Sequence, residues 1–255
     1  MAPRAGRALM TAALELRSLR KSFGGIAVTQ DVSMTVQPGE RRLIIGPNGA
    51  GKTTLFNQIA GEIASDGGSI HLFGQDVTRQ AVRRRAHLGV SRTYQVITLF
   101  ARDTLLHNVV LGMLGVDRRR FELLRTLASE HEVHERALAI LETVGLAHRA
   151  QALAGEISYG EQRRVEIAVA MAQKPRLLLL DEPLAGLSRD ERVIVSELIA
   201  AIPRETTIVM IEHDMDMALE FAERISLLHY GQLIVEGDRE AVVSDPRTRE
   251  VYLGA

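Results

Sequence analysis

Apolar and polar residues alternate through Leu14 and Leu16 and again through Val32, Met34 and Val36, and a Pro38-Gly39-Glu40 turn follows. A period of two predicts short, half-buried strands, forming an antiparallel β edge that reaches to about Phe73. Within it, Arg42-Leu43-Ile44-Ile45 reads as a buried strand running directly into Gly46-Pro47-Asn48-Gly49-Ala50-Gly51-Lys52-Thr53-Thr54, and then into a helix through about Glu62. Between about Thr98 and Gly155 the chain turns to Leu, Ala, Arg and Glu, which predicts a helical insertion over 98–155. Beyond it, Val165, Ala168, Val169 and Ala172 fall on one face of a helix over Glu161–Gln173, which Pro175 stops before a buried strand at Leu177–Leu180. A further helix aligns Val195, Leu198, Ile199 and Ile202 and ends at Pro203. After it come a β-rich stretch, Thr206–Ile211, and a closing hairpin, Ile225–Glu236, around Tyr230-Gly231-Gln232. Buried strands alternating with amphipathic helices imply an α/β fold built on a mostly parallel sheet.

Composition narrows the class. With 255 residues, 46% apolar and 25% charged, the chain has the usage of a globular protein and enough material for a full core, which excludes disordered, collagenous and coiled-coil classes. The 31 Lys and Arg against 32 Asp and Glu leave a net charge of -1, so no overall field would hold it on nucleic acid or anionic lipid. The short basic runs Arg83–Arg85 and Arg118–Arg120 read as solvated faces, with contact to lipid headgroups or a membrane partner as the sharper alternative. No cysteine is present, which removes disulfides, thiolate metal sites and cysteine nucleophiles. No apolar run approaches the ~18 residues of a membrane span. Arg4 and Arg7 lie among alanines without a continuous apolar centre, so residues 1–13 read as a loose leader rather than a signal peptide, with Met10 as an alternative start.

Three constellations carry chemistry. Gly46 to Thr53 matches the full G-x-x-x-x-G-K-[ST] pattern in the strand–loop–helix context it requires. Glycines there let backbone N–H groups converge on phosphate oxygens, the helix N-terminus adds positive charge, Lys52 reaches the β and γ phosphates, and the Thr53 hydroxyl can ligate magnesium. The strand Leu177–Leu180 delivers Asp181 and Glu182 at its C-terminal end, where open α/β sheets bind ligands; one acid suits a metal, the other an attacking water. Ser158-Tyr159-Gly160-Glu161 opens a helix as an S-x-x-E capping box, a reading compatible with a phosphate grip at the same helix start. By itself His213 reads as a surface histidine, Gln95 as a solvated loop amide and Phe23 as a core strand residue.

In their order along nearly the whole chain, these motifs resemble the nucleotide-binding subunit of an ABC transporter: Walker A at Gly46 to Thr53, Walker B through Leu177 to Glu182, the signature at Ile157-Ser158-Tyr159-Gly160-Glu161-Gln162 and the switch histidine at His213. The resemblance implies a P-loop ATPase core with an antiparallel β subdomain and a helical subdomain. It makes Gln95 in Arg92-Thr93-Tyr94-Gln95 the Q-loop glutamine and Phe23 the aromatic that stacks on adenine. It further implies ATP and Mg2+ as cofactors, with Thr53, Gln95 and Asp181 toward the metal and Glu182, His213 and Lys52 catalytic. Two such subunits would close head to tail, so that ATP on one chain meets Ser158 and Gly160 of the other, flanked by Tyr159 and Glu161. Its other partners are integral-membrane permease subunits, expected to dock around Val96–Leu114, and indirectly an extracytoplasmic substrate-binding protein, which places it on the cytoplasmic face of the membrane. Tyr159 stands where the family usually has glycine, Glu161 where glutamine is common, and Ser188 where the D-loop usually has aspartate.

The Arg92-Thr93-Tyr94-Gln95 segment, the Ser-Tyr-Gly-Glu-Gln signature and the tail Val251-Tyr252-Leu253-Gly254 are most similar to the longer ATPase subunit of importers for branched-chain and other hydrophobic amino acids, which pairs with a shorter sister chain. Urea and amide importers and the lipopolysaccharide-export ATPase share parts of these features and stand as alternatives. A soluble ABC ATPase acting on DNA would carry long coiled-coil arms between its motifs, whereas Lys52 and Asp181 lie only 129 residues apart. A ribosome-associated ABC protein would carry two such domains, and this chain has one Walker A motif.

Overall fold

The computed structural model describes residues 11–116, 127–212 and 220–253; His213, Arg118–Arg120 and the first ten residues lie outside them. Ala13, expected in the loose leader, is instead buried, and its amide donates to the Val36 carbonyl at 2.9 Å. Strand β1 (Leu14–Phe23) pairs antiparallel with β2 (Ile26–Val36) and with β4 (Gly67–Leu72), and β5 (Gln75–Asp76) completes a four-stranded sheet in the order β2-β1-β4-β5. Its alternating residues Leu14, Leu16, Val32, Met34 and Val36 all point into one apolar cluster.

The second sheet has six strands: β3 (Arg41–Ile45), β6 (Val90–Arg92), β7 (Leu177–Asp181), β8 (Thr207–Ile211), β9 (Arg224–His229) and β10 (Gln232–Gly237), in the order β10-β9-β3-β8-β7-β6. All its pairings are parallel except β9 with β10, where Tyr230 and Gly231, both at positive φ, make the tight hairpin turn. Both faces are covered, which explains the unbroken apolar runs. Ile44, Leu177, Leu179, Val209 and Ile211 face the antiparallel sheet and α1 (Lys52–Ala60), while Leu43, Ile45, Leu178, Leu180, Ile208 and Met210 face α5 (Tyr159–Ala172) and α6 (Arg189–Ala200).

Between β6 and β7 lie α3 (Leu105–Val116) and α4 (Leu127–Thr143), whose apolar faces form a third cluster with α5. The face of α5 that carries Val165, Ala168 and Ala172 packs into this cluster, and the opposite stripe of Ile167 and Ala170 packs on the sheet. That double burial makes α5 the joint between the helical part and the core. Short helices α2 (Val82–His87), α7 (Arg239–Ser244) and α8 (Pro246–Leu253) complete the described elements, and among the described residues no helix is long and apolar enough to cross a membrane.

Candidate functional site

β3 delivers the glycine-rich loop at the C-terminal edge of the sheet, and two of its glycines are dictated by backbone and space together. Gly46 (φ 152) and Gly51 (φ 98) have positive φ, and a Cβ on them would press into the Leu228 and Val28 carbonyl oxygens respectively. Gly51 is also the N-cap of α1; no side chain caps that helix and no acid stands in its first turn, so its amide end and dipole face the loop. Lys52 is buried, and its Nζ donates to the Gly46 and Pro47 carbonyls at 2.7 and 3.0 Å, folding the ammonium into the loop it follows. Burial lowers its pKa below the ordinary lysine value, against the pull of Glu182 and Asp181.

The loop forms a cleft of about 280 Å³ lined by Val28, Asn48, Lys52, Thr53, Gln95 and Glu182 among others. The structure thus gathers, from three separate stretches of sequence, the P-loop, the glutamine and the second acid. Gln95 is exposed, as a loop amide would be, yet it is not free: its Nε2 donates to Glu182 Oε2 at 3.0 Å. Glu182 is held by its own amide, which donates to the Ile211 carbonyl at 2.9 Å, and it sits at φ 48, a conformation that costs an ordinary side chain of order 1–3 kcal/mol.

Asp181, at the end of β7, is buried; burial raises its pKa, and the Arg92 guanidinium 2.7 Å from Oδ2 opposes that shift. Its other oxygen, Oδ1, is buried without a partner. The donor set of Asp181, the exposed Thr53 hydroxyl and the Gln95 amide is all oxygen and hard, as a magnesium–phosphate site requires; among the described residues no three His, Asp or Glu cluster as a self-contained metal cage.

Phe23 and the four residues from Ser158 to Glu161 stay apart from the cleft, and Asp181, next to Glu182, is not among the residues that line it. Phe23 is 46% exposed at the tip of the β1–β2 hairpin, with Lys21 Nζ 5.3 Å from its ring centroid, so the core reading of Phe23 does not hold and it does not line the cleft. Ser158, Tyr159, Gly160 and Glu161 form the start of α5 on another surface. The capping box is present in full: the Ser158 amide donates to Glu161 Oε2 at 2.9 Å and the Glu161 amide to Ser158 Oγ at 3.2 Å. Burial pushes the Glu161 carboxyl up, but the Ser158 amide and the Arg149 guanidinium outweigh it and hold it below its ordinary value.

Sequence reasoning passed over several residues here. Arg163, fully buried, donates to the Tyr94 and Gln95 carbonyls at 2.9 and 3.1 Å and to the Tyr159 hydroxyl at 3.0 Å, tying the start of α5 to the Gln95 loop. Glu191, the first-turn acid of α6, presses against Gly160 so closely that a Cβ there would meet its carboxylate. Tyr252 in α8 comes up against the Gly46 main chain, and desolvation pushes its phenol up to about 12. Tyr252 had a signal in the sequence as part of the tail motif, and Glu191 had one in the S-x-x-E spacing from Ser188; Arg163 had none.

A family profile described as ABC transporter matches residues 29–185. The high-affinity branched-chain amino acid transport ATP-binding protein LivG of Escherichia coli (strain K12) is 35% identical over 248 residues, covering 94% of this chain and 97% of its own. Among solved structures, a nucleotide-free ATP-binding cassette from an ABC transporter matches with TM-score 0.84 and 30% identity over 96% of this chain and 100% of that one. The ADP conformation of an ATP-binding cassette of an ABC transporter matches with TM-score 0.84 and 31% identity, over 96% and 99% of the two chains.

Proposed function

The chain belongs to the family of ABC transporter ATP-binding subunits, and on that premise we propose that it hydrolyses ATP on the cytoplasmic face of a membrane to drive import of branched-chain or other hydrophobic amino acids. The observation that carries the catalytic reading is the meeting of Glu182 and Gln95 inside the P-loop cleft. The cargo rests on the likeness to LivG.

In this reading the loop amides from Gly46 through Thr54 wrap the phosphates, and Lys52 exchanges its two carbonyl partners for β and γ phosphate oxygens. Phe23 lies against the adenine. Thr53, Gln95 and Asp181 are the residues that would hold magnesium, which would supply neutralisation of phosphate charge. Glu182 accepts the proton of the attacking water, which Gln95 helps to orient; His213, outside the described residues, completes that constellation. Ser158, Tyr159, Gly160 and Glu161 meet the nucleotide of a second ATPase subunit, a sister chain or another copy.

Val96 and Phe100, 77% and 60% exposed, sit in the segment Val96–Leu114 where integral-membrane permease subunits would dock, linking the ATPase indirectly to an extracytoplasmic substrate-binding protein and to no nucleic acid. The test is Glu182→Gln: turnover should fall about 10²- to 10⁴-fold while ATP binding persists. The trapped protein should then co-purify from detergent-solubilised membranes with two permeases. A wild-type rate would sink the assignment of Glu182, and recovery with export-bridge proteins instead would sink the importer assignment.

A further inference from the structure

Arg92 ends β6, and its side chain is 6% exposed beside an Asp181 side chain that is 1% exposed. Its Nη2 donates to Asp181 Oδ2 at 2.7 Å, while Nη1 donates to Asn57 Oδ1 at 2.5 Å and to Glu62 Oε2 at 3.2 Å. The guanidinium carbon lies 5.0 Å from the Tyr94 ring centroid and 5.8 Å from that of Phe56, and the Tyr94 hydroxyl donates to Glu62 Oε1 at 2.8 Å. One buried cation therefore cross-ties the helix behind the P-loop, the acid at the end of β7, and the Tyr94–Gln95 loop. Asp181 is thus held through one oxygen by a buried guanidinium that is itself fixed on two other sides, and its Oδ1 is left buried and unpartnered.

We propose that Arg92 is a positioning residue for the divalent ion: by fixing Asp181 through Oδ2, it keeps Oδ1 presented to the magnesium–nucleotide complex. The assignment rests on the magnesium role of Asp181 given above. A lysine could not serve equally, because a point ammonium cannot satisfy Asp181 and Asn57 in one plane from a single rotamer. The same guanidinium stacks near Tyr94, so the carboxylate that faces the metal and the loop that carries Gln95 share one support.

The test measures ATP affinity of the full chain by titration calorimetry, in EDTA and across free Mg2+ concentrations, for wild type, Arg92→Gln and Arg92→Lys. In EDTA all three should bind ATP within about twofold of one another, since the phosphate contacts of the P-loop are untouched. The free Mg2+ that gives half of the metal-dependent tightening should rise about tenfold or more in Arg92→Gln, in keeping with outer-shell partners of metal ligands, and by less in Arg92→Lys. Should Arg92→Gln fail to fold, Arg92→Lys retains the buried charge and still must show a raised Mg2+ midpoint. An unchanged midpoint overturns the proposal, as does a lowered one, which would make Arg92 a competitor of the ion. Equal weakening with and without Mg2+ also overturns it, leaving Arg92 a general structural prop. If the wild type itself binds ATP no more tightly with Mg2+, the magnesium role of Asp181 fails first and this inference with it.

Discussion

The helices α1 and α5 both begin where a phosphate is expected, and they begin in opposite ways. α1 starts from Gly51 in a left-handed conformation, with no side-chain cap and no acid in its first turn. α5 starts from Ser158 in an extended conformation, with a complete capping box, a first-turn Glu161, and the Glu191 carboxylate packed on Gly160. The helix dipole is thus open at the first and already answered by the protein's own carboxylates at the second. An open end binds a free anion directly, whereas a capped end must exchange internal partners for an external one. The difference suits the proposed division of labour, in which the first helix end serves the subunit's own nucleotide and the second meets the nucleotide of another subunit.

The largest effect should come from closing the open end. Gly51→Ala places a Cβ against the Val28 carbonyl at a φ of 98, so it should cost about 2 kcal/mol or more of stability and reduce ATP affinity at least tenfold, read by chemical denaturation and calorimetry. Retained affinity would show that the loop amides do not carry the phosphates. Next, Ser158→Ala removes a cap and should cost about 1 kcal/mol, with ATP affinity of the dilute single subunit within about twofold of wild type but turnover reduced. Lost affinity in the single subunit would break the comparison, because the capped helix would then belong to the same nucleotide site.

The smallest effect is pH-dependent. Glu161 is held below its ordinary 4.5, so its contribution is fully present above that value and is lost as pH falls through the lower folded-state value. Glu161→Gln should therefore be less stable than wild type by about 0.5 kcal/mol near neutrality, a figure kept small because Arg149 is 36% exposed, and the gap should close as pH falls below the ordinary 4.5 and through the lower folded-state value. A gap that persisted in acid would assign the loss to the amide's geometry rather than to the charge.

What the sequence made legible was local. The strand–loop–helix at Gly46 to Thr54 is a matter of adjacent residues, and the Ser158–Glu161 box is a spacing of three; both stand in the structure as read. The alternation of Ile44 against Leu43 and Ile45 likewise sorts residues onto two faces of one sheet. What stayed hidden depended on which strands lie side by side. Arg92 and Asp181 meet across 89 residues because β6 and β7 are neighbours, a fact of topology that no local period encodes. Phe23 misled because an aromatic in a strand favours the core, yet the apolar alternation of β1 breaks after Leu16, its register shifts between Leu16 and Ser22, and its tip, with Ile26, runs out past the core into solvent. Tyr252 reaches Gly46 from the far end of the chain and was readable only as a motif without a contact.

The place of β3 in its sheet also sets a timetable for synthesis. The strand that feeds the P-loop lies between β8 and β9, with Arg41 paired to Ile208 and Arg42 to Arg224. At about 5–20 residues per second, the ribosome makes those neighbours roughly 10–30 s after β3 itself. For that interval Leu43, Ile44 and Ile45 have no sheet to join, and ATP cannot template the cradle because the strands that hold it open do not yet exist. Nucleotide therefore cannot stabilise an early nascent chain through this cradle, which takes shape only once β8 and β9 have been made.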